Sequence, residues 1–150
     1  MGSEIQSRVA IDLLSLPPLV FRIIRKKLIN ITLADIDIDI KFPHIEIMTV
    51  LREENTLHVA EIGERLAIAK AQMTHLIDKL VELEMVERKV DVADRRTINI
   101  TLTDKGRRFL EKHEKIIFNA VGEYISDLKE NELETLSTSL RNLRDILLKL

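Results

Sequence analysis

Two arginines stand side by side in the stretch Asp94-Arg95-Arg96, directly after an aspartate. A guanidinium group keeps its charge at physiological pH and presents five N–H donors, so it pairs well with anionic partners such as phosphate. At the tip of a turn, both side chains would be free to reach such a partner. The alternative is that the aspartate and arginine side chains only close the turn and bind nothing.

The charged turn lies between two segments whose patterns predict β-strands. Residues 97–102 alternate polar and apolar side chains with a period of two, which predicts a strand with one buried face. Residues 85–90 form a second candidate strand. Together they predict a hairpin whose tip, residues 92–96, carries the two guanidinium groups. Thr103 then has the chemistry of a helix N-cap, and Asp104 places a carboxylate in the first helical turn, where the helix dipole favours it.

Two helices are predicted just before the hairpin. Residues 59–66 form a short helix, residues 67–69 a tight turn, and residues 70–83 a longer helix. The longer helix has an apolar stripe at helical spacing, formed by Met73, Leu76, Ile77, Leu80 and Leu83. Its opposite face carries Ala71, His75, Asp78 and Glu82, with Thr74 and Lys79 at the edges. Two short helices joined by a tight turn and followed by a hairpin predict a winged helix-turn-helix.

Charge is distributed unevenly over these elements. Between Ala69 and Glu84, two lysines accompany three carboxylates, which gives a net charge of −1. Between Met85 and Lys112, eight cations accompany five acids, which gives +3. Because the whole chain carries −2, any basic surface must be local. We therefore expect the hairpin and the start of the next helix to hold an anionic partner more strongly than the helix over residues 70–83.

The first 54 residues are predicted to form three helices. Helical spacing of apolar residues predicts a weak helix over residues 4–14 and a second helix over residues 18–31. Pro17-Pro18 is expected to separate them, since a proline inside a helix costs about 3 kcal/mol. Residues 35–40 alternate aspartate and isoleucine and predict an extended linker with an acidic, solvated face; they lack the glycine and closing glutamate of a calcium loop. Pro43 then opens a helix that runs to about residue 54.

The last third of the chain is predicted to form two long helices. The first runs from Thr103 to Leu128, and Asn131 and Glu134 have the spacing of a capping box for the second. Leucines then alternate at spacings of three and four in a heptad seam formed by Leu133, Leu136, Leu140, Leu143, Leu147 and Leu150. The seam could pack within one helical bundle. Its length on a terminal helix favours contact with a second copy of the chain.

Composition excludes several classes of protein. The chain has 150 residues, 45% apolar and 32% charged, which fits one globular domain without a signal peptide or membrane span. There is no cysteine, so disulfides and thiolate metal sites are excluded and the reducing cytoplasm is the expected location. The four histidines have no metal-ligand spacing, and no catalytic motif is present. We expect no enzyme activity, no metal and no cofactor.

The chain resembles the MarR family of multiple-antibiotic-resistance regulators over about residues 18–150. Asp94-x-Arg96, followed after five residues by Leu102-Thr103 and then Gly106, matches the wing signature of that family without a gap. The segment from Ile62 to Arg88 also fits the helix-turn-helix of the family. Glu84 stands where the family often has glycine, so we expect the preceding helix to continue by a residue.

The resemblance implies a mostly α fold with a small β-hairpin wing, in a single domain over residues 1–150. About residues 43–102 would form the winged helix-turn-helix lobe, and about residues 4–42 and 103–150 a helical dimerisation region. The implied function is sequence-specific binding of double-stranded DNA by a homodimer on palindromic operators, as a transcriptional repressor released by a small-molecule effector. The alternative is a winged-helix scaffold for protein interactions with little or no DNA binding, because the segment from Ala69 to Glu84, which contains the predicted recognition helix, is net acidic.

The resemblance also implies roles for single residues. The helix over residues 70–83 would enter the major groove, Arg96 would probe the minor groove, and Asp94 would hold it. The DNA-binding residues implied are Lys70, Ala71, Gln72, Thr74, His75, Lys79, Arg88, Asp94, Arg95 and Arg96, which combine base-edge hydrogen bonding with phosphate neutralisation. The effectors of the family are often small aromatic or lipophilic acids. Residues that could line such a pocket are Phe21, Phe42 and Ile117, which are equally suited to a core, with Arg25 or His113 as the partner of the acid.

Overall fold

The computed structural model describes residues 3–35 and 39–150, with only the backbone described for residues 26–35. It contains two compact units. One comprises the chain up to Asp35 and from Ile117 onwards, and the other spans residues 36–116. The helices are α1 (Glu4–Asp35), α2 (Phe42–Glu54), α3 (Val59–Leu66), α4 (Lys70–Glu82), α5 (Asp104–Tyr124) and α6 (Glu130–Leu147). The strands are β1 (Thr56–His58), β2 (Val86–Val90) and β3 (Ile98–Leu102).

The three strands form one antiparallel sheet in the order β1-β3-β2. The predicted hairpin is confirmed as β2 and β3, with Val86 opposite Leu102 and Val90 opposite Ile98. Strand β1 was not predicted, because three residues are too few to show a period of two. Leu57 in β1 lies opposite Ile100 and anchors this short strand to the core.

The core of the unit over residues 36–116 lies between the helices and one face of the sheet. Its fully buried side chains come from α2, α3, α4, β2, β3 and α5, and from the residue before β2: Ile47, Met48, Leu51, Ile62, Met73, Ile77, Leu80, Met85, Val86, Ile100 and Leu110. The predicted stripe of α4 is confirmed by the burial of Met73, Ile77 and Leu80. This burial fixes α4 so that its opposite face remains in solvent.

The tight turn between α3 and α4 is confirmed. Ala67 takes a left-handed conformation with φ of 53°, and the N–H of Ile68 donates to the carbonyl oxygen of Gly63 at 2.9 Å. A Cβ at Gly63 would lie 3.1 Å from the carbonyl oxygen of Ile68 and 3.2 Å from Cγ of Met73. Glycine at position 63 therefore allows α3 to pack closely against the turn and the first part of α4.

The junction between α4 and β2 differs from the prediction that the helix would continue through Glu84. Helix α4 ends at Glu82, and Glu84 takes a left-handed conformation with φ of 58°. The N–H of Glu84 donates to the carbonyl oxygen of Val81, and that of Met85 to Leu80, both at 2.9 Å. These two bonds satisfy carbonyls at the helix end and turn the chain into β2. The left-handed conformation explains why a glycine suits this position.

The start of α5 confirms Thr103 as the N-cap. Its Oγ1 accepts a hydrogen bond from the N–H of Gly106 at 3.0 Å, and the Thr103 N–H donates to the carbonyl oxygen of Met85 at 3.1 Å. A Cβ at Gly106 would lie 2.2 Å from that same oxygen of Met85. Gly106 therefore permits a close approach of α5 to the backbone just before the wing, where a side chain would collide.

Helix α1 corrects the predicted break at Pro17-Pro18, because it runs without interruption from Glu4 to Asp35. Proline φ fits a helix, but each proline lacks the N–H that would bond to the carbonyl group of the residue four positions earlier, and its ring crowds that carbonyl. Those residues, Leu13 and Leu14, are exposed, so water can bond to their carbonyl groups. Of the predicted acidic linker, Asp35 is helical, Asp39 and Ile40 belong to neither helix nor strand, and residues 36–38 lie outside the described residues.

The C-terminal helices also differ from the prediction at their ends. Helix α5 stops at Tyr124, four residues before Leu128. Helix α6 begins earlier than the predicted capping box, since Glu132 Oε2 accepts from the N–H of Lys129 at 2.8 Å. Of the leucine seam, Leu133 and Leu143 are partly buried, Leu136, Leu140 and Leu147 are exposed, and Leu150 lies beyond the end of α6. Among residues 3–35 and 39–150, no helix combines the length and apolarity needed to cross a membrane.

Candidate nucleic-acid interface

The tip of the wing is held by the carboxylate of Asp91. Its Oδ1 accepts hydrogen bonds from the N–H groups of Ala93 at 2.7 Å and Asp94 at 3.2 Å, and its Oδ2 accepts from Nδ2 of Asn99 at 3.0 Å. These hydrogen bonds, led by that from Ala93, lower the pKa of Asp91. The carboxylate therefore stays ionised and fixes the tip without any glycine or proline in the loop.

The side chain of Asp94 closes a second, smaller turn within the loop that Asp91 holds. Its Oδ1 accepts from the N–H of Arg96 at 3.0 Å, and its Oδ2 accepts from the hydroxyl of Thr97 at 3.2 Å. The N–H of Thr97 donates to the backbone oxygen of Asp94 at 2.9 Å, and the carbonyl of Thr97 accepts from the N–H of Asp91 at 3.0 Å. Asp94 thus holds the backbone that carries Arg96.

The two arginines at the tip are free to bind a partner. Arg95 and Arg96 are exposed, and within the described part of the chain neither guanidinium has an ion pair with a carboxylate. The neighbouring Lys89 differs, since its Nζ lies 2.8 Å from Oε1 of Glu87 on the same strand. A fixed backbone with two unpaired cations is a preorganised site for an anionic partner.

The outer face of α4 is polar and accessible. Lys70, Ala71, Gln72 and His75 are exposed, and the exposed Thr74 donates its hydroxyl hydrogen to the carbonyl oxygen of Lys70 at 3.3 Å. Gln72 and His75 have both donors and acceptors suited to base edges, and Ala71 permits close approach. These residues lie in the first turns of the helix, the part of a recognition helix that contacts bases.

The acidic residues of α4 are neutralised by nearby cations. Arg88 on β2 pairs with Oδ1 of Asp78, and Nζ of Lys79 lies 3.5 Å from Oε2 of Glu82. Arg88 and Lys79, both predicted to bind DNA, therefore already have partners in this structure. The −1 charge counted between Ala69 and Glu84 is balanced by Arg88, which lies outside that segment, and the cations left for an outside partner lie towards the N-terminus of α4 and on the wing.

A groove of about 850 Å³ lies between the helix-turn-helix and the wing. Apolar side chains form much of it, including Val59, Ile68, Met73 and Ile98, and its charged lining residues are Lys70, Arg96 and Glu64. Since Lys70 begins α4 and Arg96 ends the wing tip, the groove joins the two cationic parts of this surface. An anionic chain that followed it would meet both.

Comparison with known proteins identifies the family of the segment that contains the helix-turn-helix. A sequence model of the MarR family matches residues 40–98, which run from just before α2 to the start of β3. The transcriptional regulator TtmR of Methylorubrum extorquens is 32% identical over 107 residues, which cover 71% of this chain and 54% of TtmR. The match to the sequence model places residues 40–98 in the MarR family.

Two further comparisons agree with this MarR assignment. The repressor MdtR of Bacillus subtilis is 29% identical over 90 residues, covering 58% of this chain and 56% of MdtR. The chain thus spans about half the length of these two curated relatives. The apo structure of MarR from E. coli has a TM-score of 0.69 and 24% identity, covering 85% of this chain and 95% of that chain. The mostly helical fold with a hairpin wing is confirmed.

Within the MarR fold, α2 and α5 are joined by a bidentate ion pair. Arg52 Nη2 lies 2.6 Å from Oε1 of Glu114, and Nη1 lies 2.9 Å from Oε2. This hydrogen bonding lowers the pKa of Glu114 and raises that of Arg52. The pair is partly exposed, so it orients the two helices and contributes little to the free energy of unfolding.

The predicted effector-pocket residues lie in both units. Phe21 and Arg25 are exposed on α1, and Phe42 is exposed at the start of α2. His113 stacks on Phe109 with 6.1 Å between ring centroids, and burial lowers its pKa; Ile117 is partly buried. Among the described residues, no cluster of three His, Cys, Asp or Glu could hold a metal ion.

Three residues that shape the interface were missed from the sequence. Asp91 and Asn99 fix the wing tip, and the ring of His58 lines the groove. The Nδ1 of His58 is shielded from solvent and has no hydrogen-bond partner among the described residues. An aspartate two and three residues before backbone N–H groups is the known pattern of an Asx turn, so Asp91 could have been predicted. The roles of Asn99 and His58 could not be predicted, because they depend on the register of the strands.

Proposed function

We propose that this MarR-family chain is a sequence-specific DNA-binding transcriptional regulator that acts as a homodimer on palindromic operators. The observation that carries the proposal is the wing tip, where two aspartates fix the backbone and two arginines have no ion pair among the described residues. Guanidinium groups on a thin hairpin suit the negative potential of a narrow, A·T-rich minor groove. The wing therefore anchors the protein on DNA.

Helix α4 supplies the sequence reading in this proposal. Its exposed N-terminal residues enter the major groove, which is about 12 Å wide and admits a helix. Gln72 and His75 bond to base edges, and Lys70 neutralises a phosphate. Because the helix has no free cation beyond its first turn, the electrostatic part of the affinity comes mainly from the wing.

The homodimer in this proposal forms through the terminal helices. The exposed leucines on α6, together with exposed apolar residues on α1 such as Val9 and Leu16, provide an apolar surface that a second copy would cover. A two-fold symmetric dimer reads two symmetric half-sites, which is why the operator is a palindrome.

Repression in the cytoplasm and release by a small aromatic or lipophilic acid complete the proposal. Support for repression comes from MdtR, which is named a transcriptional repressor. Support for an acidic effector comes from Arg25, an exposed cation on the same helix as the exposed Phe21. Bound to one unit, such an effector would shift the balance between forms that do and do not fit the operator.

Selection of bound duplexes from a random DNA pool tests the proposal. We expect enrichment of a palindromic sequence with A·T-rich flanks where the wings lie, and affinity that falls steeply with salt. A pool that shows no enrichment at low salt would contradict DNA binding and favour a protein-interaction scaffold.

A further inference from the structure

The outer part of the wing is apolar as well as cationic. Val92 is 100% exposed, and the cross-strand pair Val90 and Ile98 is 61% and 45% exposed. Towards the core, the same strands bury Ile100 and Leu102. The apolar face of the hairpin thus continues beyond the core and ends at an aliphatic side chain surrounded by solvent.

We propose that Val92 is an apolar contact to the minor groove, inserted between the sugars beside the arginines, with Val90 and Ile98 covering the groove edge behind it. This inference rests on the proposed function and adds to it a specific residue and a second kind of contact. A DNA minor groove is the partner that the surface fits, since it offers phosphates and apolar deoxyribose walls within a few ångströms of each other.

The position of Val92 is fixed before any partner binds. Asp91 accepts from the N–H of Ala93 at 2.7 Å, and the N–H of Asp91 donates to the carbonyl oxygen of Thr97 at 3.0 Å. These bonds lie on both sides of residue 92, so little conformational entropy is lost when the tip binds. Both tip carboxylates use oxygens to accept hydrogen bonds from the loop, which leaves Arg95 and Arg96 as the charges free to pair outward.

The size of the tip also favours the minor groove. That groove is about 6 Å wide, which admits a single loop with one or two side chains but excludes a helix. Proteins that bind it insert aliphatic side chains against the sugars or between base steps, beside arginines that enter the groove. A valine and two arginines on one five-residue tip provide both kinds of contact.

Substitution of the fully exposed Val92 separates this contact from the charge contacts. Binding is measured across a salt series with a duplex carrying the sequence recovered from the random pool. We expect Val92→Ser to weaken binding about fivefold without changing the salt slope, because an apolar contact releases no counterions. Arg96→Ala should instead reduce both the affinity and the slope. Ala93→Ser is the matched control, because it adds the same hydroxyl group to the neighbouring tip residue and removes no carbon; it should bind within about twofold of the unmodified protein.

The melting temperature of Val92→Ser should equal that of the unmodified protein, since the side chain packs against nothing. Equal affinity of Val92→Ser and the unmodified protein would overturn the inference while leaving the proposed function intact. A reduced salt slope for Val92→Ser would also overturn the inference, because it would show that the arginines had moved. Val92-dependent binding to anionic phosphatidylglycerol vesicles, with unchanged DNA affinity, would assign the surface to a membrane. Failure of the unmodified protein to enrich any duplex would reject the function and this inference together.

Discussion

Single residues decide how the wing is presented. The carboxylate of Asp91 and that of Asp94 replace the glycines that a tight hairpin tip commonly uses, and their hydrogen bonds fix the arginine-bearing backbone. Asp94 was predicted as the holder of Arg96, and the structure places its bonds on the backbone N–H of Arg96 and on Thr97. Its role in DNA binding stays a prediction.

Gly106 provides a stability test of the joint between α5 and the wing. A Cβ at this position would lie 2.2 Å from the backbone oxygen of Met85, which cannot move without shifting β2. We expect Gly106→Ala to lower the free energy of unfolding by about 1–3 kcal/mol, measured by denaturant titration. Gly122→Ala is the control in the same helix, where nothing lies within 4 Å of the added carbon. It should raise stability by about 0.5–1 kcal/mol, and equal effects at both positions would contradict the close approach.

The structural elements show what the sequence could and could not predict. Helix α3 and the start of α4 follow from helical spacing, and the hairpin follows from alternation, since both patterns come from one-sided burial. The continuous α1 was mispredicted because the local cost of Pro17-Pro18 was taken to end the helix, whereas exposed carbonyls there can bind water. Glu84 was mispredicted because a left-handed residue that is not glycine leaves no sign in the sequence.

The start of α2 is an element whose stability should depend on pH. His44 Nδ1 accepts a hydrogen bond from the N–H of Lys41 at 2.9 Å, which caps the helix, and burial lowers the pKa of His44. As the pH falls, the unfolded chain therefore binds a proton at His44 before the folded chain does. The stability contribution of neutral His44 is fully present above about pH 6.5 and is lost as the pH falls below that value.

Thermal unfolding between pH 8 and 5 measures this dependence. His44→Gln keeps an acceptor for the N–H of Lys41 and does not titrate, so its melting temperature should fall less than that of the unmodified protein. The burial that lowers the pKa of His113 acts in the same direction in both proteins and cancels in the comparison. Parallel curves for the two proteins would contradict the role of His44.

At the scale of the whole molecule, the proposed binding to a palindromic operator requires a dimer. Leu140 is 55% exposed at the middle of the leucine seam on α6, and a second copy would bury it. We expect Leu140→Lys to shift the protein from dimer to monomer by light scattering at micromolar concentration, because a buried unpaired charge is costly. Ser139→Lys, at the exposed neighbouring position outside the seam, is the control and should remain dimeric. A monomeric unmodified protein would contradict the proposed assembly.

We propose that the wing, more than α4, anchors this protein on DNA. The most direct measurement is the affinity of Arg96→Ala for the selected duplex over a series of salt concentrations, beside His75→Ala on α4. We predict a loss of more than about tenfold for Arg96→Ala with a salt slope reduced by about one, and a smaller loss with an unchanged slope for His75→Ala. Unchanged affinity and slope for Arg96→Ala, or a larger loss for His75→Ala, would contradict the claim.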